Sequence, residues 1–301
     1  MSYKKREVYI QYRKMAFKIV TWNVNGIRSL ETKNKQGQKL TDVGVGNVGH
    51  GNVEPVLATL LREIDPDVLA LQETRCPAGT VIPSIVASAF KYKIVLESKA
   101  RKGYAGVGVF SKELPVARHF LSDEDEDDLN VEGRLLCLEY ERFVFLNAYV
   151  PNSKQDLVRL PYRVGVWEVK VREFINRVKA TTGKPVVMVA DWNVAHTEMD
   201  IYNKCTRSSS FACGFTQEER DAYGLLMTQC DLKDAFRELH PNDREYTWFS
   251  NFGKSREKNN GWRIDGPLIS SNLLEYVTDV EIHKEYYGSD HVPVLISFKI
   301  L

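Results

Sequence analysis

Absences bound this chain before any motif is read. None of its 301 residues fall in an apolar run long enough to cross a bilayer. The basic start, MSYKKREVYIQYRKMA, lacks the apolar core and small-residue cleavage site of a secretory signal. Residues 1–16 therefore read as a tail, with flexible, targeting and expression-remnant readings all open and a second start available at Met15. The five cysteines (Cys76, Cys137, Cys205, Cys213, Cys230) are odd in number and form no C-x-x-C pair. That pattern argues against a disulfide framework or a zinc site, and for reduced thiols inside a cell. There is no G-x-x-x-x-G-K-[ST] nucleotide loop and no G-x-S-x-G elbow. GVGVF around Gly106 and Gly108 lacks the third glycine and following helix of a dinucleotide loop, so it reads as a closely packed strand. Nor is there an excess of charge: the formal value of +1 decides nothing about a polyanionic partner, which local patches would bind.

What is present is a chain long enough for a substantial core, 43% hydrophobic and 27% charged, as in ordinary globular proteins. Short apolar runs bounded by turn residues recur: FKIVTWNV, DVLALQE, YKIVLES, GVGVFSK, RLLCLEY, RFVFLNAYV, PVVMVADWN, EYTWFS, RIDGPLIS and VPVLISFKI. VVMVA and DVLALQ are too apolar for one-sided strands, which predicts α/β sheets covered by helices. EPVLATLLREI is one such helix. A longer one follows Pro161, with Trp167, Val171, Phe174, Ile175 and Val178 on one face, and a third opens at Thr216 with a capping box to Glu219. No linker splits the chain, so 17–301 reads as one domain. It carries a glycine-rich polar insertion at 31–53 and an acidic loop at 123–128, the latter read as a solvated surface.

Several apolar runs stop at amides or acids: Asn23 and Asn25, Gln72 and Glu73, Tyr149 and Asn152, Asp191 and Asn193, Asp265, and the Asp290–His291 pair of GSDHVP. Each alone is ordinary turn or cap chemistry. If the strands share one rim, together they crowd carboxylates, amides, a phenol and a histidine into one cleft. That mixture suits phosphodiester hydrolysis with a hard cation, Mg²⁺ or alternatively Mn²⁺, for which Glu73 is the first candidate ligand. Asp191 is placed to take a proton from water and Asn193 to donate to the phosphate. His291, held by Asp265 or Asp290, is placed as a cationic donor.

In this order along Phe17–Leu301, WNVNGIR, LQETRC, GYAGVGVFSK, EGR, AYVPN, DWNVAH, GFTQEER, GWRID and GSDHVP resemble the exonuclease III family of abasic-site DNA endonucleases, within the endonuclease/exonuclease/phosphatase superfamily. LQET and SDH are shared across the superfamily, whereas GFTQEER and GWRID narrow it. The resemblance implies a four-layered α/β sandwich with two central mixed sheets flanked by helices. It implies metal binding at Glu73 with Asn25 and Asp290, and catalytic positions at Asn23, Tyr149, Asp191, Asn193, Asp265 and His291. It also implies an abasic pocket of Trp248, Trp262 and Ile264, and DNA contacts at Arg28, Lys102, Asn152, Lys254 and Arg256. The implied substrate is double-stranded DNA with abasic sites, cut on the 5′ side of the lesion by a monomer inside the cell, in the nucleus of a eukaryote or the cytoplasm of a prokaryote. The same scaffold used mainly as a 3′-5′ exonuclease or 3′-repair phosphodiesterase is the nearest alternative, and a non-catalytic DNA-binding protein the distant one. Three departures stand out: Asn25 where many members carry Asp, Ala190 for a glycine, and Gly266–Pro267 after GWRID, which predicts a bulged strand near Asp265.

Overall fold

The computed structural model describes residues 16–39, 54–121, 131–202 and 213–299. The basic tail, most of the polar insertion and the acidic loop lie outside the described residues. The strands, in chain order, are β1 (Ala16–Asn23), β2 (Val68–Gln72), β3 (Tyr92–Leu96), β4 (Val107–Ser111), β5 (Ala117–His119), β6 (Leu135–Glu139), β7 (Val144–Tyr149), β8 (Val186–Asp191), β9 (Leu232–Asp234), β10 (Trp248–Phe249), β11 (Gly261–Trp262), β12 (Asp265–Ser270), β13 (Val277–Ile282) and β14 (Val294–Lys299). The longer helices are α1 (Val56–Ile64), α2 (Ser84–Ala89), α3 (Glu168–Thr182) and α4 (Gln217–Gln229).

Twelve of these strands make two six-stranded sheets, in the orders β13-β14-β1-β2-β4-β3 and β5-β6-β7-β8-β12-β9. Each sheet has one parallel pair at its centre, β1 with β2 and β7 with β8, among antiparallel neighbours. A helix bridges each parallel pair, α1 in the first sheet and α3 in the second, as parallel strands require.

The strand period of two sorts side chains into layers. On one face Ile19, Val68, Ala70, Val109, Phe145, Val187, Val189 and Ile269 meet between the sheets. On the outer face of the first sheet Val20, Trp22, Leu69 and Leu71 pack on Leu57, Leu60 and Leu61 of α1. On the outer face of the second, Leu146, Met188 and Ala190 pack on Val171, Phe174 and Ile175 of α3 and on Leu226 of α4. Strands buried on both faces have no polar side to show, which is why their sequences are continuous apolar runs. The result is the four-layered sandwich expected, helix, sheet, sheet, helix. Among the described residues no helix is long and apolar enough to cross a membrane.

Local expectations hold with two corrections. The Thr216–Glu219 capping box forms in both directions, and Gly106 does pack closely, since a Cβ there would lie 2.7 Å from Thr74 Oγ1. The helix after Pro161 is not uniform: Arg163–Trp167 form one wide π-type turn before α3 begins. The bulge expected at Pro267 is absent, because β12 pairs with β8 in unbroken register from Asp265↔Asp191 to Ile269↔Val187. Trp192 N donates to Ile264 O, so alternate pairs carry the ladder bonds, and Pro267 opposite Val189 falls where no bond to β8 is due.

Beside the β11–β12 junction lies a buried ionic network. Arg263 donates to Asp200 Oδ1 (2.7 Å) and to both Asp234 oxygens (3.2 and 2.8 Å), and Arg237 donates to Asp200 Oδ1 at 2.6 Å. Burial alone would raise the Asp200 carboxyl, but Arg263 and Arg237 outweigh it and hold the pKa down at about 2. Its contribution to stability is therefore complete above the ordinary value of 3.8 and disappears as pH falls through about 2. Replacing Asp200 by Asn leaves two guanidinium groups short of charge and is expected to cost about 3–5 kcal/mol in urea unfolding at neutral pH. The variant is also expected to lose less additional stability than the wild type between pH 4 and 2.

Candidate active site

The site is the polar continuation of the inter-sheet layer. Following the inward parity along each strand gives Ile19, Thr21, Asn23 in β1, then Val68, Ala70, Gln72 in β2. The same step gives Phe145, Asn147, Tyr149 in β7 and Val187, Val189, Asp191 in β8. Antiparallel β12 enters from the opposite direction, so its first residue, Asp265, lands beside Asp191, and Tyr149 is the partner of Asp191 on the other side. Beneath the rim the layer is already polar: Gln72 Nε2 donates to Thr21 Oγ1 (2.9 Å) and Asn147 Oδ1 (2.6 Å), tying the two sheets together. Asn147 Nδ2 donates on to Leu71 O and Gly108 O. Neither Thr21 nor Asn147 was singled out above, although their place in the period-two pattern marks them.

At the rim, Asn23 Nδ2 donates to Asp191 Oδ2 (2.7 Å) and to Glu73 Oε1 (3.1 Å), while its Oδ1 accepts from Asn25 N (3.0 Å). Asn193 N donates to the other Asp191 oxygen at 2.9 Å. His291 Nδ1 lies 2.9 Å from Asp265 Oδ2, which makes Asp265, not Asp290, the carboxylate that orients the imidazole. His291 Nε2 lies 3.9 Å from Asp191 Oδ2. Asp290 instead accepts from Asn25 Nδ2 (3.0 Å) and Trp248 Nε1 (3.2 Å). Asn25, Glu73 and Asn193 all sit in left-handed backbone, φ 46°, 48° and 49°. Such conformations in residues other than glycine cluster where a site is held against local preference.

Two sets of donors bear on a cation. Asp191, Asp265 and His291 bring one ligand-type atom each within 4.8 Å of one another, but the Asp265–His291 hydrogen bond occupies that trio internally. Glu73 and Asp290 face the cleft, with the Asn25 amide against Asp290, an oxygen-bearing set that fits a hard divalent ion. Burial opposes the charge on Glu73, yet hydrogen bonds from Asn23 and Arg75 keep its pKa below the ordinary value.

Electrostatics separate the roles of the buried groups. Burial, then the neighbouring Asp265 charge, push the Asp191 carboxyl up to about 7, against the opposing pull of His291 and Asn23. Burial would depress His291, but Asp265, Asp191 and Asp290 override it and raise the imidazole to about 10, so it is a cation at neutral pH. Burial and the Glu73 charge hold the Tyr149 phenol well above its usual range, so it remains protonated.

These residues open on a cleft of about 620 Å³ lined by Glu73, Tyr149, Asp191, Asn193, Asp290 and His291 on one side and by Trp248, Trp262 and Ile264 on the other. The two tryptophans are register partners in the β10–β11 ribbon, edge to face at 6.1 Å, and Phe215 and Ile201 complete the apolar cluster behind them. A side chain at Gly214 would come within 3.1 Å of Trp262, so glycine keeps this wall open. Gln155 and Cys213 also line the cleft and were not expected.

The expected DNA contacts divide. Asn152 is in the cleft and donates to Asn193 Oδ1 at 3.0 Å. Arg28 and Lys102 are exposed, and exposed Lys254 pairs with Glu257 at 3.4 Å. Arg256 is placed otherwise than expected. Its guanidinium donates to Lys284 O and Tyr286 O and stacks 3.8 Å from the Tyr287 ring centroid, which makes it the anchor of its own loop. Missed altogether was the clamp on the Asp191–Asn193 turn: buried Arg163 donates to Trp192 O (2.7 Å), Asn193 O (2.8 Å) and Glu219 (3.0 Å), and Ser153 Oγ donates to Glu219 at 2.6 Å. Glu219 thus caps α4 and secures the turn together.

Paired acids, fixed amides and a cationic imidazole at the open rim of a two-sheet sandwich define a hydrolytic enzyme of phosphate esters. The chain belongs to the Endonuclease/Exonuclease/phosphatase family, which it matches over residues 20–291. It is 35% identical over 283 residues to the DNA repair nuclease APEX1 of Danio rerio, covering 93% of this chain and 81% of that one. With the exodeoxyribonuclease of Bacillus subtilis (strain 168) it shares 32% identity over 285 residues, 94% of this chain and 100% of the other. The crystal structure of AP endonuclease LMAP from Leishmania major superposes with a TM-score of 0.74 at 25% identity, covering 96% of this chain and 89% of that one.

The bond from Asn23 lowers the Asp191 pKa, so removing it must raise that value. Carboxyl ¹³C NMR of the cation-free protein is expected to show Asp191 losing its proton near pH 7 in the wild type and at higher pH in Asn23→Ala. An unchanged titration in the variant would separate Asn23 from the control of Asp191.

Proposed function

We propose that this protein is a divalent-cation-dependent endonuclease of base excision repair that hydrolyses the DNA backbone on the 5′ side of an abasic site. The observation that carries this reading is the juxtaposition in one cleft of the Asp191–Asn23–Glu73 and Asp265–His291 groups with the apolar wall of Trp248, Trp262 and Ile264. A sugar without its base leaves the duplex readily and fills a pocket too tight for a whole nucleotide. The names of the relatives from Danio rerio and Leishmania major support the same assignment.

Glu73, with Asn25 and Asp290, would hold the cation, Mg²⁺ or Mn²⁺, which when bound supplies positive charge to the phosphate as negative charge develops. The protein's own groups do the rest. Asp191, fixed at both oxygens by Asn23 and Asn193, takes a proton from the attacking water as the new P–O bond forms. Protonated His291, oriented by Asp265, donates toward the non-bridging oxygens. The P–O3′ bond breaks, and Tyr149, kept protonated by its burial, donates to the departing oxygen, leaving a 3′ hydroxyl. Asn152 and Gln155 at the cleft, together with exposed Arg28, Lys102 and Lys254, meet backbone phosphates. Residues 17–301 act as one catalytic domain, working as a monomer inside the cell.

The exodeoxyribonuclease name of the Bacillus subtilis relative supports a second reading, in which the same site works mainly at 3′ ends. A duplex with one stable abasic analogue, assayed with Mg²⁺ and with chelator beside undamaged and 3′-recessed duplexes, separates the two. Chelator-sensitive incision at the lesion is expected. Cleavage confined to ends would favour the exonuclease, and binding without cleavage a non-catalytic protein. Asp191→Asn is expected to lower turnover by about 10³-fold or more with DNA affinity changed by less than about threefold. Equal losses in both would remove Asp191 from the role of base.

A further inference from the structure

Glu73 already has a cation. Its Oε2 accepts from Arg75 Nη2 at 2.6 Å and Nε at 3.0 Å, while Oε1 accepts from Asn23. Glu73 and Arg75 both have left-handed backbone, φ 48° and 50°, and Arg75 N is tied to Ala105 O at 2.9 Å. The fork is therefore anchored by the turn that carries both residues. The Arg75 side chain is 45% exposed against 15% for that of Glu73, so Arg75 is the more solvent-facing partner of the pair. Among the described residues, Glu73 is the only acceptor of its side-chain hydrogen bonds. Asn25 adds to the effect, because its amide contributes no negative charge to draw a divalent ion against that guanidinium.

We infer that Arg75 competes with the divalent cation for Glu73, holding the outer carboxylate oxygen until the ion displaces it. The inference rests on the reading of Glu73 as a cation ligand. A hard ion binds a carboxylate oxygen at about 2.0–2.1 Å. With a guanidinium nitrogen on the same oxygen, the two positive groups would lie within a few ångströms and repel strongly in a half-buried cleft. Release of Arg75 is inexpensive because water can solvate its exposed face. The freed guanidinium is then available to a phosphate, two of whose oxygens can accept from the planar fork as the carboxylate did.

The test titrates Mn²⁺ alone into the full chain without DNA, following free Mn²⁺ by electron paramagnetic resonance. Arg75→Ala is expected to bind about five- to thirty-fold more tightly than the wild type, and Arg75→Lys, which keeps charge but not the fork, to fall between them. Thermal unfolding checks that each variant is folded, and the lysine variant alone decides the matter if the alanine variant is not. Binding by Arg75→Ala that is no tighter than wild type, with Glu73→Ala losing the ion, overturns the inference and leaves Glu73 as ligand. Wild-type affinity in Glu73→Ala overturns both. Absence of binding in the wild type and both Arg75 variants overturns the competition as well.

Discussion

One amide keeps two sheets and two carboxylates in a working relation. Asn23 ends β1 in the first sheet, and its Nδ2 donates to two acids, Glu73 from the turn after the neighbouring β2 and Asp191 from the opposite sheet. Two carboxylates facing one amide repel each other. The shared amide offsets part of that repulsion without adding charge, and leaves Asp191 responsive to its other neighbours, Asp265 and His291. The Asn25 backbone completes the arrangement by occupying the amide oxygen, which fixes the orientation of the group.

This bond has meaning only because the sheets present their rims together. The inter-sheet layer is apolar from Ile19, Val68 and Val187 up to Ala70 and Val189, then turns polar at Thr21, Gln72 and Asn147 before reaching the site. The Gln72–Asn147 bond is a cross-link below the chemistry, and the Arg163–Glu219 clamp is another behind it. Both are buried, and Asn147 and Arg163 donate on to backbone carbonyls, while Gln72 Oε1 is left without a partner among the described residues.

Much of this was legible in the residues. Continuous apolar runs revealed strands covered on both faces, and the capping box located the start of α4 because its signal is local. The acids and amides at strand ends were recognisable as a set, and the structure brings Asn23, Glu73, Tyr149, Asp191, Asn193, Asp265 and His291 to one rim. What was not legible depends on partners distant in sequence. Whether Asp265 or Asp290 orients His291 is decided by the entry of antiparallel β12 opposite β8, and Arg256 became a loop anchor through carbonyls nearly thirty residues away. Pro267 misled because the local rule omits which side of the ladder is vacant at that register. The wide turn at Arg163–Trp167 opens on the buried guanidinium that reaches the Trp192 and Asn193 carbonyls, partners that no helical period reveals.

The division of the site between strand ends of both halves has a consequence for its assembly. Glu73 follows β2, Asp191 and Asp265 belong to β8 and β12 of the second sheet, and His291 to the segment before β14, which returns to pair with β1. Strand β14 lies in the interior of the first sheet, between β13 and β1. The imidazole is therefore in place only once β14 has joined β1 across almost the whole length of the domain, and chemical competence waits on that long-range closure.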